Sequence, residues 1–134
     1  MGRSLPRWAN RYLFSPRPIK GESLENIYHI CKREAWDEAS KKNCFHSESL
    51  AKEGFIHCSK YEQVLRVANS FFRGQENLVL LVIEPGKVRA EIRWEPGMDK
   101  PDELFPHIYG DLNLEAVNQI LDLNVSPNGQ FHLP

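Results

Sequence analysis

Residues Glu53–Phe72 read EGFIHCSKYEQVLRVANSFF, and this pattern predicts a short strand that leads directly into a helix. The strand comprises Phe55–Cys58, a short and mainly apolar segment. Ser59 is followed three residues later by Glu62, which is the spacing of a capping box, and apolar residues then recur at helical intervals. We therefore expect an amphipathic helix that begins near Lys60, and we expect the rest of the fold to be organised around this unit.

His57 is the polar side chain of this unit that most suggests a function. Alternate side chains of a strand face opposite sides, so His57 shares a face with Phe55 and Ser59, whereas Cys58 points into the core. The unpaired N–H groups at a helix N-terminus favour anions. The stretch therefore predicts a site for a phosphate or carboxylate group. The alternative is that Ser59 only caps the helix and that His57 is a half-buried structural histidine.

Further strands and a helix follow from hydrophobic periodicity on either side of this unit. Asn26–Cys31 predicts a short strand, and Lys32–Lys42 predicts a helix after it. Leu78–Ile83 is six apolar residues in a row, which is typical of a strand buried on both faces. A hairpin turn at Pro85–Lys87 is then expected to lead into an alternating strand over Val88–Trp94.

A second histidine motif lies in the C-terminal part of the chain. Glu95–Pro106 is expected to be a long loop, and loops of this length inside a compact domain are usually functional or mobile. It leads into Phe105–Gly110, which reads FPHIYG. His107 and Tyr109 face the same way if this segment is extended. The alternative is a rigid structural turn.

The last elements complete a mixed fold. Asn113 is expected to cap a final helix, and Gln130–Leu133 is expected to form a short final strand. The helix would turn inward the apolar residues Leu114, Val117, Ile120 and Leu121. The order of elements predicts an α+β fold, a compact single domain with two small, bent, largely antiparallel sheets and two to three helices. These patterns do not determine the oligomeric state.

Charge is distributed unevenly along the chain. The first 21 residues hold five basic residues and no acidic one, so the remainder has 12 basic and 18 acidic residues and a net charge of −6. We therefore divide the chain into a basic, Pro- and Arg-containing, flexible extension over residues 1–24 and a single globular domain over residues 25–134. An acidic domain body makes nucleic acid an unlikely ligand, because a nucleic-acid backbone requires clustered Lys and Arg.

The cysteines and histidines show no metal-binding spacing. Cys31, Cys44 and Cys58 include no C-x-x-C pair, and the histidines form neither H-x-H nor H-E-x-x-H, so no metal is expected. A nucleophilic Cys58–His107 pair is disfavoured because a thiol that faces the core is inert. No run of about 18 apolar residues is present, so no membrane contact is expected. We expect a cytoplasmic protein, or an organellar one if residues 1–20 are a transit segment.

Six short motifs together carry a resemblance to a known family: IYHI, EGFIHCS, LVLLVIEP, RWE, FPHIYG and GQFHLP. In this combination the chain resembles the domain of unknown function family 952, a group of small bacterial and plant proteins, over about residues 27–134. The fold that this resemblance implies is similar to that of the ADP-ribosyltransferases and the related RNA phosphotransferases. Those enzymes bind NAD in a cleft between two small sheets.

The resemblance also implies roles for particular residues. His29 would hold the ribose of NAD, Phe55 or His57 would flank the nicotinamide ring, and Glu95 would stabilise the positive charge that develops as nicotinamide leaves. From the motifs and the resemblance together, we expect His29, His57, His107 and Glu95 to be the catalytic residues. We expect Tyr28, Phe55, Ser59 and Tyr109 to be the ligand-binding residues.

The function that follows from the resemblance is an intracellular NAD- or nucleotide-binding, ADP-ribosyltransferase-like enzyme with NAD as its substrate. Two alternatives stay open. One is a noncatalytic module that binds a small anionic metabolite or a protein partner. The other is an enzyme similar to an RNA 2′-phosphotransferase, which the acidic domain body disfavours.

Overall fold

The computed structural model describes residues 25–134, so the predicted extension over residues 1–24 lies outside the described residues. The nine strands of this part are β1 (Ile27–Lys32), β2 (Cys44–Phe45), β3 (Ile56–His57), β4 (Leu78–Ile83), β5 (Glu91–Pro96), β6 (Leu104–Tyr109), β7 (Leu112–Asn113), β8 (Val117–Val125) and β9 (Phe131–His132). Its three α-helices are α1 (Arg33–Lys42), α2 (Glu48–Glu53) and α3 (Tyr61–Phe71). Within residues 25–134, no helix combines the length and the apolar character that crossing a membrane requires.

A four-stranded sheet in the order β1-β4-β8-β9 forms the apolar centre of the domain, and its neighbours are all antiparallel. All six residues of β4 are buried, as the apolar run predicts. Alternate side chains of β4 pack into two hydrophobic cores, one on each face of the sheet. Leu78 and Leu80 pack with Val64 and Ala68 of α3, whereas Val79 and Leu81 belong to the core on the other face, which covers the smaller sheets.

A three-stranded antiparallel sheet in the order β3-β6-β5 carries the two histidine motifs. Ile56 pairs with Ile108, and both are fully buried in the core. His57 pairs with His107, and Arg93 of β5 pairs with His107 from the other side. Because side chains alternate across a strand, these three polar residues share the outer face of the sheet. A two-stranded ribbon of β2 and β7 completes the sheets, so the predicted α+β class with antiparallel sheets is confirmed.

Ser59 joins the two larger sheets and does not cap α3, which corrects the sequence prediction. Its backbone N–H donates to the Tyr28 carbonyl at 2.8 Å, and its carbonyl accepts from the Tyr28 N–H at 2.9 Å. The chain therefore stays extended for one more residue, and Lys60 becomes the N-cap. The side chain of Gln63 accepts the Lys60 N–H at 2.9 Å and closes the helix start.

The expected hairpin at Pro85–Lys87 is also wrong. This segment is a single 3-10 turn, and β4 and β5 lie in different sheets because both edges of β4 are already paired with β1 and β8. The alternating strand begins at Glu91, three residues later than predicted. The expected long loop is short, because β5 runs to Pro96 and β6 starts at Leu104.

The expected last helix is a strand. Only Leu114–Ala116 forms a 3-10 turn, and β8 then pairs along the whole length of β4. The apolar residues of this segment fit both a helical and an alternating pattern, and the open edge of β4 favours the strand. Asn113 does not cap a helix either; its side chain accepts the Arg89 N–H and donates to the Lys87 carbonyl, each at 2.9 Å.

Candidate functional site

Four aromatic and imidazole rings cluster on the outer face of the three-stranded sheet. The ring of Phe55 stacks on His107 with centroids 4.2 Å apart and an interplanar angle of 16°. The same ring meets His57 at 4.7 Å and Tyr109 at 5.2 Å. His57 and His107 are 5.3 Å apart and meet edge to face. Two of the predicted histidines therefore do meet, because β3 and β6 place them opposite each other.

Glu95 fixes the orientation of His107. One oxygen of its carboxylate, Oε1, is 2.7 Å from Nδ1 of His107 and accepts the Tyr109 hydroxyl at the same distance. The bond from Tyr109, followed by the bond from His107, lowers the pKa of Glu95, whereas the bond to Glu95 raises the pKa of Tyr109. The guanidinium of Arg93 lies 4.2 Å from the centre of the Tyr109 ring.

His107 is only 6% exposed, and burial lowers its pKa. The neutral imidazole is therefore the form present near neutral pH. A neutral imidazole has one N–H, and a carboxylate accepts hydrogen bonds but does not donate them. The proton must therefore reside on Nδ1, which leaves the lone pair of Nε2 unused by Glu95.

His57 has its own carboxylate partner, Glu53, which the sequence interpretation did not single out. The distance from Nε2 of His57 to Oε1 of Glu53 is 2.5 Å. Glu53 is the last residue of α2, and Gly54 then turns the chain at φ 90°, a conformation that favours glycine. The four-residue separation of Glu53 and His57 in the sequence was the only signal for this pair. The contact itself depends on the left-handed turn at Gly54.

His29 does not join the ring cluster. Its Nδ1 lies 2.5 Å from the backbone carbonyl of His57, and its ring meets Phe45 edge to face at 5.3 Å. Burial lowers the pKa of His29 to about 4, so the ring is neutral at pH 7. A neutral ring that donates from Nδ1 keeps Nε2 as an acceptor.

Two clefts flank the segment from His57 to Ser59. The first, which we call the hydroxyl cleft, has a volume of about 440 Å³ and includes Tyr28, His29, Ser47, Ser49, His57 and Ser59 in its lining. The second, which we call the aromatic cleft, has a volume of about 400 Å³ and includes Phe55, Phe71, Phe72, Phe105, His57 and His107. His57, Ser59, Val67 and Phe72 line both clefts. Volumes of this size are typical of small-molecule sites.

The predicted site residues are thus divided among four places. Tyr28 and His29 line the hydroxyl cleft, and Phe55 and His107 line the aromatic cleft. Glu95 and Tyr109 line neither of these two clefts. Glu95 is connected to the aromatic cleft by its bond to His107, and Tyr109 is connected to it by its bond to Glu95. His57 and Ser59 stand where the two clefts meet.

The two buried thiols, Cys31 and Cys58, do not provide a nucleophile. Cys58 is fully enclosed, and burial raises its pKa far above that of a free thiol. Burial also raises the pKa of Cys31 to about 12. In the part of the chain that the structure describes, no three His, Cys, Asp or Glu side chains are arranged to hold a metal ion.

Comparison with known proteins gives a family and a set of similar structures. The family model described as "Protein of unknown function (DUF952)" matches residues 30–120. The crystal structure of protein CC0527 from Caulobacter crescentus is 35% identical, with a TM-score of 0.72 over 80% of this chain and 93% of that one. The solution NMR structure of CC0527 is 36% identical, with a TM-score of 0.68 over 78% of this chain and 90% of that one. No curated protein matches the chain.

Proposed function

The chain belongs to the DUF952 family of proteins of unknown function, and we propose that it is an NAD- or nucleotide-binding enzyme of ADP-ribosyltransferase-like fold. The observation that carries this proposal is that an aromatic cleft and a hydroxyl cleft meet at His57 and Ser59. NAD has two unlike halves joined by a diphosphate. One half carries a flat, positively charged nicotinamide ring, and the other carries adenosine.

The aromatic cleft suits the nicotinamide half. The rings of Phe55, Phe71 and Phe105 offer flat apolar surface, and the carboxylates of Glu53 and Asp99 also line this cleft. A cationic ring gains from aromatic faces and from nearby negative charge, and both are supplied here. A purely anionic ligand would gain nothing from these carboxylates. The proposed ligand is therefore one whose buried end is cationic and flat.

The hydroxyl cleft suits sugar groups. Neither Nε2 of His29 nor the hydroxyl of Ser59 has a hydrogen-bond partner within residues 25–134, and both residues are buried. Buried polar atoms without a protein partner are uncommon and need an explanation. A ribose hydroxyl can donate to the neutral His29 ring, which agrees with the role that the family resemblance implies. Tyr28 and Ser59 provide further hydroxyl groups.

His57 lies where the two halves of the ligand would meet. It lines both clefts, and its Nε2 is held by Glu53, so Nδ1 is the ring atom left for a ligand. A protonated His57 would donate from Nε2 to Glu53 and from Nδ1 to a phosphate oxygen. The diphosphate of NAD would then lie beside the segment from His57 to Ser59.

Isothermal titration calorimetry tests the proposal. We expect the wild-type protein to bind NAD⁺ more tightly than NADH, whose nicotinamide ring is uncharged, and to bind ADP-ribose more weakly than NAD⁺. Phe55→Ala and His57→Ala should each weaken NAD⁺ binding by about tenfold or more while melting stays within a few degrees. The matched control is His132→Ala, because His132 is exposed and lies on β9, outside both clefts.

Calorimetry together with an assay for released nicotinamide distinguishes the alternatives. A noncatalytic module would bind NAD⁺, ADP-ribose or another small anion without releasing nicotinamide. An enzyme similar to an RNA 2′-phosphotransferase would bind RNA ends that carry a 2′-phosphate. The absence of heat from NAD⁺ and from ADP-ribose would contradict the proposed function.

A further inference from the structure

We infer that His107 is the general base of this site, and that the acceptor of the transferred group is an oxygen nucleophile, either water or a hydroxyl group. Glu95 and Tyr109 are then positioning residues that act through His107. This inference rests on the proposed NAD-dependent function. It assigns Glu95 a different role from the direct charge stabilisation that the family resemblance implies.

The first support is the chemistry of the His107 ring. Nδ1 donates to the carboxylate of Glu95 at 2.7 Å, so the lone pair of the neutral ring is on Nε2. Within residues 25–134, no protein group forms a hydrogen bond with Nε2. His107 lines the aromatic cleft, where the proposed nicotinamide end would lie. A basic nitrogen of this kind, within reach of a ligand, can accept a proton from an O–H group.

The second support is the restraint on that ring. Phe55 stacks on one face of it, and Glu95 holds its Nδ1. Glu95 is itself held by the Tyr109 hydroxyl, and the guanidinium of Arg93 covers the Tyr109 ring. Arg93 and Glu95 lie on β5, and Tyr109 lies with His107 on the paired strand β6. The pairing of the two strands therefore holds these side chains on one face of the sheet. A base held in one tautomer and one orientation loses little freedom when it reacts.

The third support is the position of Glu95. Its Oε1 already accepts two hydrogen bonds, and Glu95 does not line the aromatic cleft. A carboxylate that stabilises a developing cation directly must approach the reacting carbon. One that orients a histidine needs only to reach the far nitrogen of that ring, which is the contact observed.

Burial favours the basic, neutral form of His107, although nearby carboxylates act in the opposite direction. Burial is the main cause that lowers its pKa, and the bond to Glu95 acts in the opposite direction. The titratable and charged groups that face or flank the ring are Glu95, Tyr109, Arg93, His57, Glu53 and Asp99. Protonated His57 would further disfavour a proton on His107. The base is therefore available at neutral pH and is lost in acid, as pH falls through the lowered pKa.

The reaction balances without another reagent. The bond between the ribose carbon and the nicotinamide nitrogen breaks, and its electron pair goes to that nitrogen and removes its positive charge. A bond forms between the acceptor oxygen and the same carbon. The acceptor proton passes to Nε2 of His107, and the resulting imidazolium is stabilised by the Glu95 carboxylate. With water the products are nicotinamide, ADP-ribose and a proton.

Nicotinamide release from NAD⁺, measured from about pH 4.5 to about pH 8, tests the inference. NAD⁺ binding to each variant is measured first by calorimetry. His107→Gln should lower kcat by about 10²- to 10⁴-fold, with the Kd for NAD⁺ within about threefold of wild type. Added methanol should give the methyl glycoside of ADP-ribose with wild type, as expected for an oxygen acceptor. Free imidazole should partly restore the rate of His107→Ala.

The positioning residues have a separate readout. Glu95→Gln should lower kcat by about tenfold or more and move the acid limb of the pH profile to lower pH, because the group that raises the pKa of His107 is removed. Tyr109→Phe should lower kcat by less than Glu95→Gln, because the bond between Glu95 and His107 remains. The matched controls Glu115→Gln and His132→Gln, which lie outside both clefts, should keep the wild-type rate and profile.

Three results would overturn the inference, and they differ from one another. If His107→Gln binds NAD⁺ and keeps the wild-type rate, His107 is not the base. If wild type binds NAD⁺ and releases no nicotinamide with water or methanol, the site binds the ligand without this reaction. If wild type does not bind NAD⁺ at all, the proposed function fails and the inference fails with it.

Discussion

The two larger sheets of this domain are both antiparallel, but they differ in how many of their faces are buried. In the four-stranded sheet, β4 is buried along all six residues and serves a core on each face. In the three-stranded sheet, only one face belongs to the core, and the outer face carries His57, His107 and Glu95. The difference teaches that the polar residues of the candidate site are concentrated on the outer face of the second sheet, which is the place to look for a ligand.

Hydrogen bonds between the polar side chains of the outer face limit the destabilisation that their burial causes. A buried polar group without a partner destabilises a protein by about 1–3 kcal/mol. On this face His107 is paired with Glu95, Glu95 with Tyr109, and His57 with Glu53. The atoms left over, Nε2 of His107 and Nδ1 of His57, are the ones that we assign to a ligand.

The largest effect is expected from truncating the apolar sheet. Leu80→Ala removes a fully buried side chain from β4, and the cavity should lower the free energy of unfolding by about 2–5 kcal/mol. Leu104→Ala on β6, where the side chain is 51% exposed, should change it by less than about 0.5 kcal/mol. Urea unfolding of both variants measures the contrast. Equal losses would show that the two sheets share the burden of stability.

A smaller effect is expected from acid. The pKa of His29 is about 4 in the folded protein and about 6.5 in the unfolded chain, so the unfolded state binds the proton first as pH falls. This histidine should leave stability unchanged above about pH 7 and reduce it by up to about 3 kcal/mol between about pH 6.5 and pH 4. His29→Gln should remove this part of the slope. Parallel pH profiles for wild type and variant would contradict the buried, neutral His29.

The smallest effect is expected from Tyr109→Phe. The hydroxyl of Tyr109 is the main cause that lowers the pKa of Glu95, so its removal should move that pKa up toward the ordinary glutamate value. Melting should change little, because Tyr109 is only partly buried. An NMR titration of the Glu95 side-chain carboxyl measures the shift. An unchanged titration would show that Tyr109 does not hold Glu95 in solution.

Sequence patterns predicted β1 and β4 of the apolar sheet but not β8. The strand at Leu78–Ile83 and the helix at Arg33–Lys42 follow from unambiguous periodicity. The segment Val117–Val125 fits two periods at once, and its strand form depends on the open edge of β4, which is far away in the sequence. Ser59 failed as a cap for a similar reason, since its backbone is bound to Tyr28.

The candidate site was predictable only in its residue types. The motifs GFIH and FPHIYG identified His57, His107 and Tyr109, but their meeting requires the register of β3 on β6. The carboxylate partner of His57 depends on the turn at Gly54. The resemblance implied a catalytic role for His29 together with the other two histidines, yet His29 shares the hydroxyl cleft with His57 only and bonds to the backbone carbonyl of His57.

We propose that NAD⁺ binds in the two clefts, which are lined by the outer face of the three-stranded sheet and by β1 of the four-stranded sheet, whereas β4, β8 and β9 line neither cleft. The most direct measurement is an NMR titration of the ¹⁵N-labelled protein with NAD⁺. We predict that amide shifts change around residues 28–29, 53–59 and 105–109, and that the amides of β8 and β9 stay unchanged. Shift changes confined to β8 and β9, or no shift changes at saturating NAD⁺, would contradict it.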